Sequence, residues 1–173
     1  MIFVTIGMMY GFDRLIRKMD EIAGMIEEEV IMQIGVGTYK PENGKYFEFL
    51  SKKDMDNFYN SARIIVCHSG VGSIISALDY NKPIVVVPRL HSYGEVIDDH
   101  QIEIAKKLED KGKIHVVNNL DKLENVINNI NGEYNNFNKK NELMNNGEYN
   151  NFYKKNELID NLREYLDTLN IKK

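Results

Sequence analysis

Residues 63–78 read RIIVCHSGVGSIISAL. The segment up to His68 is a short apolar run rich in β-branched residues, the pattern of a buried strand. From Ser73 onward the apolar positions take up helical spacing, and GSIISALDYN reads as a helix. His68 to Gly72 form the turn between them. Strand, glycine-rich turn and helix in direct succession are the repeating unit of an α/β sheet. The turn itself has two readings. It is an ordinary strand-to-helix connection with Ser73 as the helix cap, or it is a cradle for an anion. A helix N-terminus carries unpaired N–H groups and about half a positive charge. Glycines at 70 and 72 let a ligand approach the backbone closely. Ser73 and His68 add side-chain donors. The spacing matches neither a Walker A loop nor the GxGxxG dinucleotide fingerprint.

The rest of the chain follows the same alternation. MIFVTIG, ending at Gly7, predicts a buried strand. FDRLIRKMDEIAGMIEE, with Leu15, Ile16, Met19, Ile22 and Ile26 on one face, predicts a helix. VIMQIG and YFEFL predict a second and a third buried strand. KKDMDNFYNSA predicts a helix capped by Ser51. PIVVVP is a strand between prolines, and DHQIEIAKKLEDKG a helix that stops at Gly112. IHVV and LDKLENVINNI complete another strand and helix. Strands alternating with helices imply a mostly parallel sheet covered on both faces. Ligands of such sheets bind beyond the carboxyl ends of the strands, where the chain order switches direction. The loops beginning at Gly7, His68 and Pro88 are therefore the candidate site.

Composition narrows the function classes. With 173 residues, 43% hydrophobic and 28% charged, the chain has a globular composition and the length for one domain with a proper core. A net charge of -4 with no basic stripe gives no support to nucleic-acid binding. One cysteine, Cys67, excludes an intramolecular disulfide and a cysteine-rich zinc site. The N-terminal apolar run is too short for a signal peptide or a membrane span. The expectation is a cytoplasmic chain whose contact with a membrane, if any, is peripheral.

Beyond residue 130 the character changes. NGEYNNFNKKNELMN is followed at once by NGEYNNFYKKNELID, a tandem duplication. Residues 131–157 read as an Asn-rich spacer. In 158–173, Leu158, Leu162, Tyr165, Leu166 and Leu169 form an apolar stripe and predict a terminal helix. That stripe covers its own domain or docks a partner.

The second polar cluster lies in PRLHSYGEVIDDHQIEIA, after the strand PIVVV. It holds Arg89, His91, Glu95, Asp98, Asp99, His100, Gln101 and Glu103. A solvated loop running into a helix capped by Asp98 or Asp99 accounts for these charges. Two polar clusters at the ends of neighbouring strands point instead to a site. A metal set of His91, Asp98, Asp99 and His100 can be drawn, but nothing in the spacing makes these residues converge. A triad of Ser73, His100 and Asp99 can be drawn too, but the GxSxG elbow is absent.

HSGVGSIISAL, KPIVVVPR and DDHQIEIAKKL, in that order, with IFVTIG and FDRLI at the start, resemble the C-terminal domain of glycosyltransferase family 28. The resemblance is to its stand-alone small-subunit form. That form includes PssE/EpsF-like subunits of bacterial polysaccharide synthesis and the catalytic subunit of the two-part eukaryotic UDP-GlcNAc transferase of lipid-linked oligosaccharide synthesis. It covers roughly residues 1–130. It implies an α/β, Rossmann-like parallel sheet, the donor-binding half of a GT-B enzyme. The implied donor is a UDP-sugar, with His68, Gly70, Gly72 and Ser73 on the diphosphate and Gly7 beside it. Asp99, His100 and Gln101 reach the sugar and nearby phosphate. Helix dipole and N–H groups neutralise the diphosphate, so no metal and no cofactor is implied. The acceptor is a lipid-linked sugar, and a membrane-anchored subunit supplies the missing half. Self-association in isolation is the alternative. No catalytic residue carries over, because the general base belongs to the missing half or to the interface.

Two positions depart from the family pattern. Ser76 stands where relatives often carry an acid for the ribose hydroxyls, with Asp79 about one turn further on. Met8 follows Gly7 where relatives offer a hydroxyl. Two other functions stay open on sequence: a non-catalytic nucleotide-sugar-binding or regulatory module, and a complete small enzyme such as a sugar-nucleotide epimerase. The lack of a cofactor fingerprint weighs against the epimerase.

Overall fold

The computed structural model describes residues 1–97, 100–109 and 114–130, apart from the side chains of residues 100, 104, 107 and 108. Six strands, β1 (Ile2–Thr5), β2 (Val30–Gln33), β3 (Lys45–Phe47), β4 (Ile64–His68), β5 (Ile84–Val87) and β6 (Ile114–Val116), form one sheet. Every neighbouring pair is parallel, in the order β3-β2-β1-β4-β5-β6. The helices between them are α1 (Asp13–Met25), α2 (Lys52–Ser61), α3 (Val71–Leu78) and α4 (His100–Glu109). A 3-10 turn at Leu120–Lys122 leads into helical residues from 123 onward.

The continuous apolar runs became the central strands. Every residue of β1, β2, β4 and β5 is buried. Helix α1 buries Leu15, Ile16, Met19 and Ile22. Each such side chain contributes roughly 1.5–3 kcal/mol of transfer free energy as an upper bound. Helix α2 brings Phe58 and Tyr59 against Phe3 of β1, with ring centroids 5.4 and 5.2 Å away. Met1–Asn128 form one compact unit.

Three expectations are corrected. The third strand is not buried: all three residues of β3 are exposed, and it ends at Phe47 rather than spanning YFEFL. It is an edge strand, and Lys45, paired with Glu29 at 2.5 Å, marks it with the exposed charge such edges carry. Helix α1 ends at Met25, with Ile26 extended as its C-cap. Helix α3 begins at Val71 with Gly70 as N-cap, two residues earlier than its apolar spacing suggests. Ser73 therefore lies inside the first turn and is not the cap. The Asp98 or Asp99 cap, the stop at Gly112, the repeat and the terminal stripe lie outside the described residues.

Candidate functional site

The chain winds outward from β1 in one direction through β2 and β3, and from β4 in the other through β5 and β6. Strands β1 and β4 are neighbours, with Thr5 opposite Cys67. The loops that leave their carboxyl ends depart to opposite sides and open a crevice. A cleft of about 1000 Å³ lies there, and Gly7, His68, Gly70, Gly72, Ser73 and Gln101 all line it. Two of the three candidate loops thus meet at the switch point, and the third contributes Arg89 and leads into α4, which contributes Gln101. Asp99 and the His100 side chain lie outside the described residues.

Helix α3 presents its first turn to this cleft. Its first helical hydrogen bond runs from the Ile74 N–H to the Gly70 carbonyl at 3.1 Å. The N–H groups of Val71, Gly72 and Ser73 have no partner within the helix, as at any helix start. A Cβ built on Gly72 meets no atom within 4 Å, so the space above this turn is open. N–H groups unpaired within the helix, the positive end of its dipole and an uncluttered approach are features that can accommodate an anion.

His68, the last residue of β4, is 8% exposed. Its imbidazole ring lies between two glycines, and that contact explains both. A Cβ on Gly70 would stand 2.2 Å from His68 Nε2, and one on Gly7 3.0 Å from its Cε1. Gly7 also has φ +76°, a conformation that favours glycine for its own sake. Burial, with the nearby Arg89 charge adding to it, pushes the His68 pKa down to about 4, against a smaller opposing effect of the Thr5 backbone. The ring is neutral at pH 7. A neutral imidazole offers one N–H donor and one acceptor nitrogen. Its Nδ1 is buried with no hydrogen-bond partner of normal geometry among the described residues.

The loop after β1 is shaped by Gln33, which the motifs did not single out, and by Arg89 of the second polar cluster. Gln33, buried in β2, accepts from the Thr5 hydroxyl at 2.9 Å and the Ile6 N–H at 3.3 Å. Its amide nitrogen donates to the carbonyls of Gly7 at 3.0 Å and Glu48 at 3.1 Å. A glutamine inside the apolar run VIMQIG was the available signal. Arg89, 2% exposed, donates through Nη2 to the carbonyls of Ile6 and Tyr10, both at 2.8 Å. Gln101 of α4 joins the two remaining loops. Its Oε1 accepts from the Ser69 hydroxyl at 3.2 Å and the Arg89 N–H at 3.3 Å.

Other members of the polar clusters serve the scaffold. Glu95 holds Arg14 of α1 through both carboxylate oxygens, at 2.8 and 2.9 Å, and accepts from the Leu90 N–H at 2.9 Å. Cys67 is fully buried, which pushes its thiol up to about 12 and leaves it unreactive. Ser76 and Asp79 both line the cleft, together with Lys52, Asp56 and Tyr80. Among the described residues no three His, Cys, Asp or Glu side chains form a metal-ligating group, and the drawn metal set includes residues beyond them. No described helix is long and apolar enough to cross a membrane.

The model of the glycosyltransferase family 28 C-terminal domain matches residues 1–169, well past the limit near 130 set by the motifs. The chain belongs to this family. It is 30% identical over 124 residues to the human (Homo sapiens) UDP-N-acetylglucosamine transferase subunit ALG13, a match covering 65% of this chain and 10% of that protein. The chain thus spans about a tenth of that relative. The crystal structure of Acinetobacter baumannii MurG superposes on 74% of this chain and 40% of its own, with a TM-score of 0.54 and 20% identity. The NMR structure of ALG13 covers 76% of this chain and 85% of its own, with a TM-score of 0.54 and 21% identity. The fold is the Rossmann-like α/β half of a GT-B glycosyltransferase.

Proposed function

We propose that this chain is the donor-binding subunit of a two-part inverting glycosyltransferase. It moves a hexose or N-acetylhexosamine from a UDP-sugar to a lipid-linked acceptor in polysaccharide or glycan synthesis. One observation carries this reading: the open first turn of α3, the Gly7 loop and neutral His68 converge on one cleft at the switch point of the sheet. Family membership and the likeness to a UDP-N-acetylglucosamine transferase subunit support the choice of donor.

The geometry suits departure of a diphosphate. Negative charge grows on the leaving group as the anomeric bond breaks. Fixed N–H groups at a helix N-terminus stabilise that charge without reorganising, and this mode of binding calls for no cation. Ser73, in the same turn, adds a hydroxyl donor, and His68 an imidazole N–H. Gly72 leaves room for the phosphate. The base that deprotonates the acceptor hydroxyl belongs to a second, acceptor-binding chain, anchored in the membrane, or to its interface with this one. That chain recruits this one to the cytoplasmic face.

Ligand-dependent melting tests the reading. UDP and UDP-GlcNAc are expected to raise the melting temperature, because binding to the native state stabilises it by mass action. Ser73→Ala is expected to reduce that rise. A wild-type chain whose melting is indifferent to every UDP-sugar, with and without its partner, contradicts it.

A further inference from the structure

Arg89 is a cation in the wall of the cleft with no counter-ion among the described residues. It is 2% exposed and lines the same space as Gly7, His68 and Gln101. Among the described residues its side chain donates through Nη2 to two neutral carbonyls, and Nε is buried without a hydrogen-bond partner. No described carboxylate lies within ion-pair distance of it. Glu95, the carboxylate that most raises its pKa, is engaged by Arg14 and by the Leu90 N–H. Burial lowers the guanidinium pKa to about 10, which leaves it charged at neutral pH. A buried charge without a partner of opposite sign is unfavourable, and an entering anion relieves it. Arg89 belongs to the second polar cluster, which on sequence was either a solvated loop or part of a site; in the fold it lies beneath the loop that follows β1.

We propose that Arg89 is a positioning residue for the anionic ligand. Its guanidinium ties Ile6 to Tyr10 in the shape the diphosphate requires, and its fixed positive charge is neutralised when the diphosphate enters. This rests on the nucleotide-sugar reading above. The Phe12 ring, 5.1 Å from the guanidinium carbon, holds the planar group from one side. A lysine keeps the charge but cannot reproduce a planar fork reaching two carbonyls.

The test compares UDP with uridine, which has the same base and ribose but no phosphate, on wild type, Arg89→Lys and Arg89→Met. UDP affinity is expected to fall about tenfold or more in Arg89→Met, with a smaller loss in Arg89→Lys, while uridine affinity stays within about twofold. The salt dependence of UDP binding is expected to flatten in Arg89→Met. Equal losses for UDP and uridine, or no loss for UDP, overturn the proposal. If Arg89→Met does not fold, amide exchange in the wild type decides. UDP is expected to slow exchange across residues 6–10 and uridine is not; indifference to UDP overturns the role of Arg89. A wild type that binds UDP beside an unaffected variant removes Arg89 alone. A wild type that does not bind UDP removes the nucleotide-sugar reading as well.

Discussion

Gly70 and Gly72 sit two positions apart and are glycine for different reasons. At Gly70 the imidazole of His68 occupies the place of a side chain, whereas at Gly72 nothing does. Gly70→Ala is expected to displace His68 and cost about 1–3 kcal/mol of stability, read by denaturant unfolding. Gly72→Ala is expected to leave stability unchanged or raise it by up to about 1 kcal/mol, and yet to weaken UDP binding. A stability loss there would place the glycine's role in the fold instead. His68 adds a pH dependence. Its pKa is about 4 in the folded chain, against an ordinary value of about 6.5 in the unfolded one. Between those values the unfolded state binds more protons, so stability falls as pH drops from about 6.5 to about 4. The loss amounts to up to about 3 kcal/mol. His68→Gln is expected to flatten that part of the stability–pH curve.

Elements were legible where local chemistry decides them. Ser51 was readable as a cap, and its Oγ accepts from the Asp54 N–H at 3.1 Å. Ser51→Ala is expected to cost about 1 kcal/mol in thermal or denaturant unfolding. The start of α3 was not readable, because Gly70 caps it with backbone geometry alone and no side-chain bond. The exposure of β3 was not readable either, since an edge position depends on which strands lie beyond it. Asp20 is a stronger case. On sequence it is one acid in an amphipathic helix. In the fold it is 1% exposed and accepts from the backbone N–H groups of Glu42, Asn43 and Gly44 and from the Tyr39 hydroxyl, at 2.7 to 2.9 Å. Burial alone would raise its pKa, but these bonds together hold it below the ordinary value of 3.8. That stability is present above about pH 3.8 and is lost in more acidic solution. Asp20→Ala strands four donors and is expected to cost about 2–3 kcal/mol, as a lower unfolding midpoint.

At the scale of the molecule, the described residues form the Rossmann-like sheet of a GT-B fold, and alternation of apolar runs with amphipathic segments was enough to predict that sheet. Which loops would meet was a matter of topology. The order β3-β2-β1-β4-β5-β6 puts the ends of β1 and β4 side by side, although more than 60 residues separate Gly7 from Gly70. The HSGVGS motif named the turn at the end of β4, and Arg89 stood in the second polar cluster; that Arg89 and Gln33 shape the loop after β1 became visible only once distant segments were brought together. The central claim is that this crevice holds the diphosphate of a UDP-sugar. The most direct measurement is amide chemical-shift mapping by NMR during titration with UDP-GlcNAc. Saturable shifts are expected at Gly7, Gly70, Gly72 and Ser73, with UDP competing for the same sites. No saturable shift, or shifts confined to residues away from the β1 and β4 loops, contradicts the account.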